Sequence, residues 1–283
     1  MGEARITALV PVKHYHPAYL EESVHSLAQQ TCAEWRGVII VEPEDRAHFA
    51  AVLRGALTDP RMRLVVNEGR RLAGAINTGM RQATTAFVAL LLADDLWAPD
   101  AVRALNDHIG RAPEVDFFHS SRRFIDERGH PISSVYSSKA DFTLADFRRA
   151  SPVKHLLCWR RRTALSVGGV DESLNSVGPD DYDFPWVMAE HGVRFRAVPE
   201  CLYYYRDHRA CYRLTTHLPL SHHRREQRKI LRKHGVGWWE QQRHLARAQR
   251  SYLRQCLYRN RLDRWVKERL GYDACRGWRE TYC

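Results

Sequence analysis

The sequence predicts a doubly wound α/β fold followed by an Arg-rich helical extension, on the basis of three observations. Short apolar, β-rich runs alternate with helix-like segments over roughly the first 110 residues, which is typical of a largely parallel sheet covered by helices. The run at residues 87–93 is apolar on both faces, as expected for a central strand. The whole excess of positive charge lies in the last quarter of the chain, beyond the alternating segments.

The first four strands and helices are predicted in alternation. Each strand is an apolar run, and each helix begins near a proline or has apolar residues at helical spacing. Small residues in the third helix would let it pack closely on the sheet. The predicted strands are residues 6–12, 37–41, 63–67 and 87–93, and the helices begin at Pro17, lie near residues 48–57 and 73–83, and follow Pro99.

The alternation of strands and helices ends near residue 115. Residues 116–135 predict two strands around a turn at 127–129, and residues 201–206 predict a further strand. From Ser221 onward the sequence predicts Arg-rich helices, interrupted by Gly235 and Gly237.

The composition is that of a globular protein. With 283 residues, of which 44% are hydrophobic and 10% aromatic, the chain can bury a large core, which excludes wholesale disorder. Its longest apolar stretch, residues 86–93, is far shorter than the roughly 20 residues that span a bilayer. The N-terminus does not resemble a signal peptide, and the seven cysteines show no CxxC pair. We therefore expect a cytoplasmic protein with no disulfides and no zinc site.

The charge is divided unevenly between two predicted domains. Residues 1–216 hold 27 basic and 27 acidic residues, whereas residues 217–283 hold 17 basic and 6 acidic ones. An attached basic domain of this kind indicates an anionic partner. Three interpretations stay open: a helical appendage packed on the first domain, contact with an anionic membrane surface or lipid-phosphate acceptor at the inner face of the membrane, or contact with nucleic acid.

Two adjacent carboxylates, Asp94 and Asp95, directly follow the buried run at residues 87–93. The carboxyl edge of an open α/β sheet is where ligands bind, and two neighbouring carboxylates repel each other unless a cation or hydrogen-bond donors compensate them. A hard cation such as Mg²⁺ takes one or two carboxylates and completes its shell with phosphate oxygens and water. The alternative is that these residues only form the N-terminus of the helix after Pro99.

A second acidic cluster, Asp180, Asp181 and Asp183, lies in the segment GPDDYDF. One of its carboxylates could act as a general base that accepts the proton of an attacking hydroxyl. The alternative is a solvated acidic turn at the start of a helix. Pro185 is tolerated only in the first turn of that helix.

Together these segments resemble the family 2 glycosyltransferases, which have the GT-A fold, over residues 5–216. The resemblance implies a Rossmann-like central mixed sheet flanked by helices, followed by the basic helical extension. It rests on five ordered segments, which are VPVKHYHPAYLEESVHSLAQQT, NEGRRLAGAINTGMRQATTAFVALLLADDLWAPD, VDFFHSSRRFIDERGHPI, CWRRRTALSVGGVDESLNSVGPDDYDF and CLYYYRDH.

The resemblance also implies roles for individual residues. Asp95, with Asp94, would bind Mn²⁺ or Mg²⁺ at the donor diphosphate, with His208 as a further metal ligand. Asp181 would be the catalytic base, with Asp180 as the second candidate. The residues expected at the nucleotide-sugar donor are Pro11, Val12, Glu42, Arg70, Arg71, Asn77 and Asp94.

The implied activity is metal-dependent, inverting transfer of a sugar from a nucleotide-diphosphate sugar to an acceptor hydroxyl. A UDP-sugar is the expected donor, and a saccharide or lipid-linked acceptor in cell-surface polysaccharide or glycoconjugate synthesis is the expected setting. Two alternatives stay open: a non-catalytic scaffold whose basic tail binds a membrane surface or nucleic acid, and a transferase that acts on modified DNA. The segment VEPED and Leu92, which replace more usual motifs of the family, favour the scaffold, whereas the two intact aspartate clusters argue against it.

Overall fold

The computed structural model describes residues 4–13, 15–174, 178–207 and 220–259, with side chains up to residue 250. Its strands are β1 (Ile6–Val12), β2 (Trp35–Val41), β3 (Met62–Val66), β4 (Phe87–Leu90), β5 (Leu96–Trp97), β6 (Phe117–Ile125), β7 (Leu157–Arg160) and β8 (Phe195–Arg206). Its α-helices are α1 (Pro17–Ala28), α2 (Arg46–Val52), α3 (Arg71–Gln82), α4 (Ala101–Arg111), α5 (Leu144–Phe147), α6 (Arg161–Ser166), α7 (Phe184–Glu190), α8 (Leu220–Lys233) and α9 (Trp238–Arg259).

The strands form one mixed sheet in the order β3-β2-β1-β4-β7-β6-β8-β5. Its first four strands are parallel, and β7 joins them in antiparallel orientation beside β4. On its far side, β6 pairs in parallel with β8, with register shifts around Ser121. The mixed sheet confirms the fold class expected from the sequence.

Apolar residues cover both faces of the sheet, because neighbouring side chains of a strand point to opposite faces. In β1, Ala8 and Val10 belong to the core under α1 and α4, whereas Leu9 belongs to the core under α3 and α7. A Cβ atom on Gly79 would lie 2.9 Å from a methyl carbon of Leu9. The prediction that small residues let this helix approach the sheet closely is therefore confirmed.

The predicted hairpin at residues 116–135 is wrong in its second half. Only two isolated bridges form there, Arg122 with Tyr136 and Ile125 with Pro131. Pro131 has no backbone N–H to donate to a ladder, and one edge of β6 is occupied along its whole length by β8. The strand predicted at residues 201–206 is present as the second half of the longer strand β8.

The helices predicted after Ser221 are confirmed as α8 and the start of α9, and they pack against the α/β body. Trp186 of α7 stacks on His234, with ring centroids 4.1 Å apart and planes 3° apart. The buried carboxylate of Asp183 accepts hydrogen bonds from Lys233 at 2.8 Å and from His234 at 3.0 Å. The predicted domain boundary between residues 216 and 217 lies outside the described residues.

Cys32, Cys158 and Cys201 are free, and Cys158 is buried. Burial raises the pKa of its thiol, as expected of a cysteine that acts as a small apolar side chain. Among the described residues, no helix is long and apolar enough to cross a membrane.

Candidate functional site

The parallel strands bring several of the predicted site residues to one edge of the sheet. Val12 of β1 is in register with Val41 of β2, and Leu9 of β1 is in register with Leu90 of β4. All three strands therefore end at the same edge, which is the edge where ligands bind in open α/β sheets. The residues expected there from the sequence, Pro11, Val12, Glu42, Asp94 and Asp95, all lie at or just beyond these strand ends.

Asp95 is fixed in the interior of the protein. Its side chain is only 1% exposed, the Tyr203 hydroxyl donates to its Oδ2 at 2.6 Å, and the backbone N–H of Arg206 donates to its Oδ1 at 2.7 Å. Both carboxylate oxygens are thus held by β8. Burial and the charge of Asp95 raise the pKa of Tyr203, which keeps its hydroxyl protonated and able to donate. The neighbouring Asp94 is partly exposed.

Arg206 holds the turn that carries these aspartates. Its side chain is fully buried, and its Nε donates to the carbonyl oxygen of Asp94 at 2.9 Å. The same guanidinium forms an ion pair with Glu22 of α1 and lies 4.6 Å from the centre of the Tyr19 ring. Sequence analysis assigned no role to Arg206, although a charged residue at the end of the apolar run 201–205 is a signal that could have marked it.

The second acidic cluster lies on a π-helical turn. Gly178 has a φ of +62° and precedes this turn, which spans Pro179–Asp183 and leads into α7. Turns of this kind are rare and often mark functional sites. Pro185 lies in the first turn of α7, where a proline is tolerated, as expected.

The three aspartates of this turn have different surroundings. Asp183 is fully buried and is held by Lys233 and His234. Burial opposes the charged form of Lys233, but the carboxylates of Asp171 and Asp183 raise its pKa. Asp180 is also buried, whereas Asp181 is partly exposed and its carbonyl oxygen accepts a 2.6 Å hydrogen bond from Ser151.

Asp180 faces a buried histidine, with its Oδ2 atom 3.6 Å from Nε2 of His155. Burial, together with the negative charge of Asp181, raises the pKa of Asp180 to about 8. Burial lowers the pKa of His155 to about 4. At neutral pH Asp180 is therefore mostly protonated and His155 is neutral.

His155 also connects the two acidic clusters. Its ring lies 5.2 Å from the ring of Tyr203, with planes 33° apart. Asp95, Tyr203, His155 and Asp180 thus form a continuous buried series of side chains between the aspartate turn after β4 and the π-helical turn. Sequence analysis missed His155 and Tyr203, because a lone histidine and a tyrosine in an apolar run carry no signal of such a contact.

The other expected donor-site residues divide into two groups. Asn77 is buried, with its Nδ2 atom donating to Val170 and to Glu172 at 2.9 Å and its Oδ1 accepting from the N–H of Val170. Its amide thus fixes the 170–172 segment against α3. Arg70 and Arg71 are exposed, and Glu172 accepts a hydrogen bond from the backbone N–H of Arg70.

Glu42 is partly exposed at the end of β2. Its Oε1 accepts a hydrogen bond from the Asn67 side chain at 3.2 Å and lies 3.8 Å from the Lys13 ammonium. Pro11 and Val12 are the last two residues of β1, and both are buried.

The donor set available for a metal is small. The residues that the structure describes contain no group of three or more His, Cys, Asp or Glu side chains that could hold a metal ion. His208 lies outside the described residues. The partly exposed carboxylate of Asp94 at this edge fits a hard cation of the Mg²⁺ type, which draws most of its ligands from substrate phosphates and water.

Comparisons with known proteins bear on the family and the fold of the chain. The sequence pattern of the family described as "Glycosyl transferase family 2" matches residues 7–159. The O-antigen biosynthesis protein RfbC of Myxococcus xanthus is 27% identical over 205 residues, which cover 71% of this chain and 16% of that protein. The chain thus spans less than a fifth of the length of each of the first two curated relatives that it matches, 16% and 19%.

Two solved structures share the fold. S. aureus TarS in complex with UDP-GlcNAc superposes with a TM-score of 0.60 at 18% identity, covering 91% of this chain and 74% of that one. The mannosyltransferase PcManGT of Pyrobaculum calidifontis, in complex with GDP-Man and Mn²⁺, has a TM-score of 0.58 at 23% identity and covers 82% of this chain and 65% of that one. The family match extends over more than half of the chain, and the mixed sheet agrees with it: the chain belongs to glycosyl transferase family 2 and has the GT-A fold.

Proposed function

We propose that this protein is a metal-dependent, inverting glycosyltransferase that moves a sugar from a nucleotide-diphosphate sugar to an acceptor hydroxyl. One observation carries the proposal. Two partly exposed carboxylates, Asp94 and Asp181, each adjoin one end of the same buried series of side chains, which runs from Asp95 through Tyr203 and His155 to Asp180. A transferase needs one carboxylate on the leaving group's side and one on the acceptor's side, and this series couples the positions of the two.

The donor would bind at the carboxyl edge of β1, β2 and β4. The backbone at Pro11 and Val12 and the carboxylate of Glu42 would contact the nucleoside, and the exposed Arg70 and Arg71 would reach the diphosphate. The buried amide of Asn77 would act indirectly, by holding the 170–172 segment that packs against this loop.

Mn²⁺ or Mg²⁺ would be held by Asp94 and the donor phosphates, where it would neutralise the charge that develops on the leaving diphosphate. Asp94 is the better ligand of the aspartate pair because both oxygens of Asp95 already accept hydrogen bonds from β8. Asp95 would then be a positioning residue, together with the Arg206 guanidinium that fixes the Asp94 carbonyl. His208 stays a proposed further ligand.

Asp181 would be the catalytic base. Asp180 is mostly protonated at neutral pH because burial and the negative charge of Asp181 raise its pKa. A protonated carboxyl cannot accept a proton. A neutral Asp180 also adds no second negative charge beside the base. Asp181 is the partly exposed member of the pair, so an acceptor hydroxyl could approach it.

The proposed reaction is a single displacement. The acceptor oxygen attacks the anomeric carbon as the bond to the diphosphate breaks, and Asp181 takes the hydroxyl proton. The nucleoside diphosphate leaves with the bonding electron pair. One base and one in-line attack invert the configuration at the anomeric carbon, without a covalent enzyme intermediate.

We propose a UDP-sugar as the donor and a saccharide or lipid-linked hydroxyl as the acceptor, in the synthesis of a surface polysaccharide or glycoconjugate. The name of the relative RfbC and the UDP-GlcNAc complex of TarS support this choice. The GDP-Man and Mn²⁺ complex of PcManGT supports the broader class of metal-assisted nucleotide-sugar donors.

A thermal-shift screen tests the donor site. UDP-, GDP- and dTDP-sugars are added with and without Mn²⁺ or Mg²⁺, and a ligand that binds only the folded chain raises its melting temperature. We expect metal-dependent stabilisation by UDP-sugars that is lost in Asp94→Asn and kept in Asp107→Asn, a matched change of an exposed aspartate in α4. No stabilisation by any donor would contradict the proposal and favour a non-catalytic scaffold.

A further inference from the structure

The helix α9 has two distinct faces. On its inner face Gln241, His244 and Leu245 are buried against the α/β body. The His244 ring stacks on Tyr182 with planes 11° apart, and its Nδ1 lies 3.1 Å from the carbonyl oxygen of Arg148. These contacts fix the rotation of the helix about its axis.

The opposite face carries exposed arginines and begins with an exposed tryptophan. Trp239, Arg243, Arg247 and Arg250 are all exposed, and their spacings of four, four and three residues place them on one side of an α-helix. We call these four residues the outer face of α9; the exposed Trp238 precedes Trp239 as the first residue of the helix.

The two tryptophans at the start of α9 differ from the others that the structure describes. Trp238 and Trp239 are 60% and 72% exposed, and their ring centroids lie 4.4 Å apart. By contrast, each of the described tryptophans of the α/β body is at most 2% exposed, namely Trp35, Trp97, Trp159 and Trp186. Two adjacent exposed indoles beside a polar surface mark an interaction site.

The charge of this region is not balanced by acidic side chains. Residues 220–259 contain eleven Lys and Arg residues and only two acidic ones, Glu226 and Glu240. Glu226 pairs with Lys229 at 2.8 Å, and Glu240 pairs at 2.9 Å with Arg148 of the α/β body. Within the described part of the chain, no carboxylate pairs with any of the three arginines of the outer face.

We propose that the outer face of α9 docks on the surface of a lipid bilayer that contains anionic headgroups. The three arginines would bind lipid phosphates, and the two indoles would enter the interfacial region, where tryptophan is enriched. A helix with basic residues and tryptophan on one exposed face is typical of attachment in the plane of a membrane.

The geometry of the indoles favours a bilayer over a nucleic acid. Their planes meet at 79°, so that the pair does not offer the parallel platform on which successive bases stack. Side chains that pack edge to face instead form a compact apolar wedge next to the arginines. Such a wedge loses contact with water when it enters a bilayer interface.

Docking would also orient the proposed active site. The residue on which the inner face stacks, Tyr182, is the neighbour of Asp181 on the π-helical turn. A bilayer in contact with the outer face would therefore lie on the far side of α9 from this turn. The docking itself needs no sugar donor and is tested without one.

Vesicle co-sedimentation of the full chain tests the proposal. We compare phosphatidylcholine vesicles with vesicles that also contain phosphatidylglycerol. Each basic residue near an anionic surface contributes to the free energy of binding. Three arginines together should raise the partition coefficient for the anionic vesicles on the order of 100-fold. We expect the triple variant R243Q/R247Q/R250Q to lose most of this preference and W238S/W239S to bind the anionic vesicles more weakly.

The matched control is R54Q/R111Q/R149Q, which removes three exposed arginines from the α/β body and should leave the binding unchanged. All these side chains are exposed, so the variants should keep the melting temperature of the unaltered chain, which is measured alongside. Equal vesicle binding by R243Q/R247Q/R250Q and the control would overturn the proposal. So would binding of a single-stranded oligonucleotide by a chain that does not sediment with anionic vesicles.

Discussion

The Tyr203 hydroxyl donates a 2.6 Å hydrogen bond to the buried carboxylate of Asp95, and the ring of the same tyrosine packs against His155. His155 in turn faces Asp180 on the π-helical turn. A residue of β8 thereby connects two acidic segments that are about 85 positions apart in the sequence. Because all four side chains are buried, a change in any of them should affect both segments.

Tyr203→Phe should weaken both the fold and the donor site. The change removes a hydrogen-bond donor to a buried carboxylate, which costs about 1–3 kcal/mol in the free energy of unfolding. Donor binding in the presence of metal should weaken with it, because Asp94 is next to the loosened Asp95. Urea unfolding and donor titration check these effects. The control Tyr204→Phe changes a partly exposed neighbour and should alter neither; equal effects of the two variants would contradict a special role for Tyr203.

Arg206→Lys should destabilise the protein although it keeps the charge. A lysine replaces the three donor nitrogens of the guanidinium, which contact the Asp94 carbonyl, the Glu127 carbonyl and the Glu22 carboxylate, with one ammonium nitrogen. We expect a loss of about 2–3 kcal/mol in the free energy of unfolding, measured by denaturant titration. Arg122→Lys, on the same sheet but only partly buried, should cost less. A stable Arg206→Lys variant with normal metal-dependent donor binding would show that the guanidinium does not hold this turn.

The contribution of Asp180 to the stability of the protein should fall as the pH rises from about 4 to about 8. The folded state keeps this carboxyl protonated up to about pH 8, whereas the unfolded chain ionises near pH 4. Between these values the folded state binds more protons, so that its free energy of unfolding decreases with pH. Asp180→Asn should remove this part of the slope and stabilise the protein at pH 8. Urea unfolding at several pH values would detect it.

Asp183→Asn serves as the comparison for Asp180→Asn. It leaves Lys233 and His234 without the carboxylate that holds them, and should destabilise the protein at pH 8 as well as at pH 6. If Asp180→Asn also destabilised the chain at pH 8, the proposed protonation of Asp180 would be wrong.

The sequence was sufficient to predict the parallel strands, their helices and the sheet edge that holds Asp94. These depend on local periodicity and on the carboxyl-edge rule, which require no knowledge of distant contacts. Which aspartates of each acidic cluster are buried and which are partly exposed was not predictable. Asp95 is held by Tyr203 and Arg206, and Asp183 by Lys233 and His234, all of which lie far away in the sequence.

Acid should destabilise the protein partly through His119 of β6. Burial and the charge of Lys154 lower the pKa of this histidine to about 4, whereas the unfolded chain binds the proton near pH 6.5. The contribution of His119 to the free energy of unfolding is therefore fully present above pH 6.5. It decreases by about 3 kcal/mol as the pH falls towards 4. His155 should contribute in the same direction because burial also lowers its pKa to about 4.

His119→Leu should reduce this loss. Neither ring nitrogen of His119 has a hydrogen-bond partner among the described residues, so that the change strands no other group. Thermal unfolding at pH 4.5 and 7 compares the variant with the unaltered chain, and the exposed His130→Leu serves as the control. An unchanged pH dependence in His119→Leu would contradict a lowered pKa of His119 in the folded state, because the group would then bind protons equally in the folded and unfolded chain.

The role of Asp181 as the base is tested most directly by measuring sugar transfer and donor binding on the same variants, with a donor found in the thermal-shift screen. Asp181→Asn should bind the donor and metal as the unaltered chain does but lose transfer by about 10²–10⁴-fold. Asp180→Asn should keep most of the transfer activity, and Asp94→Asn should lose donor binding in the presence of metal. Transfer by Asp181→Asn at a rate near that of the unaltered chain would contradict the proposed mechanism.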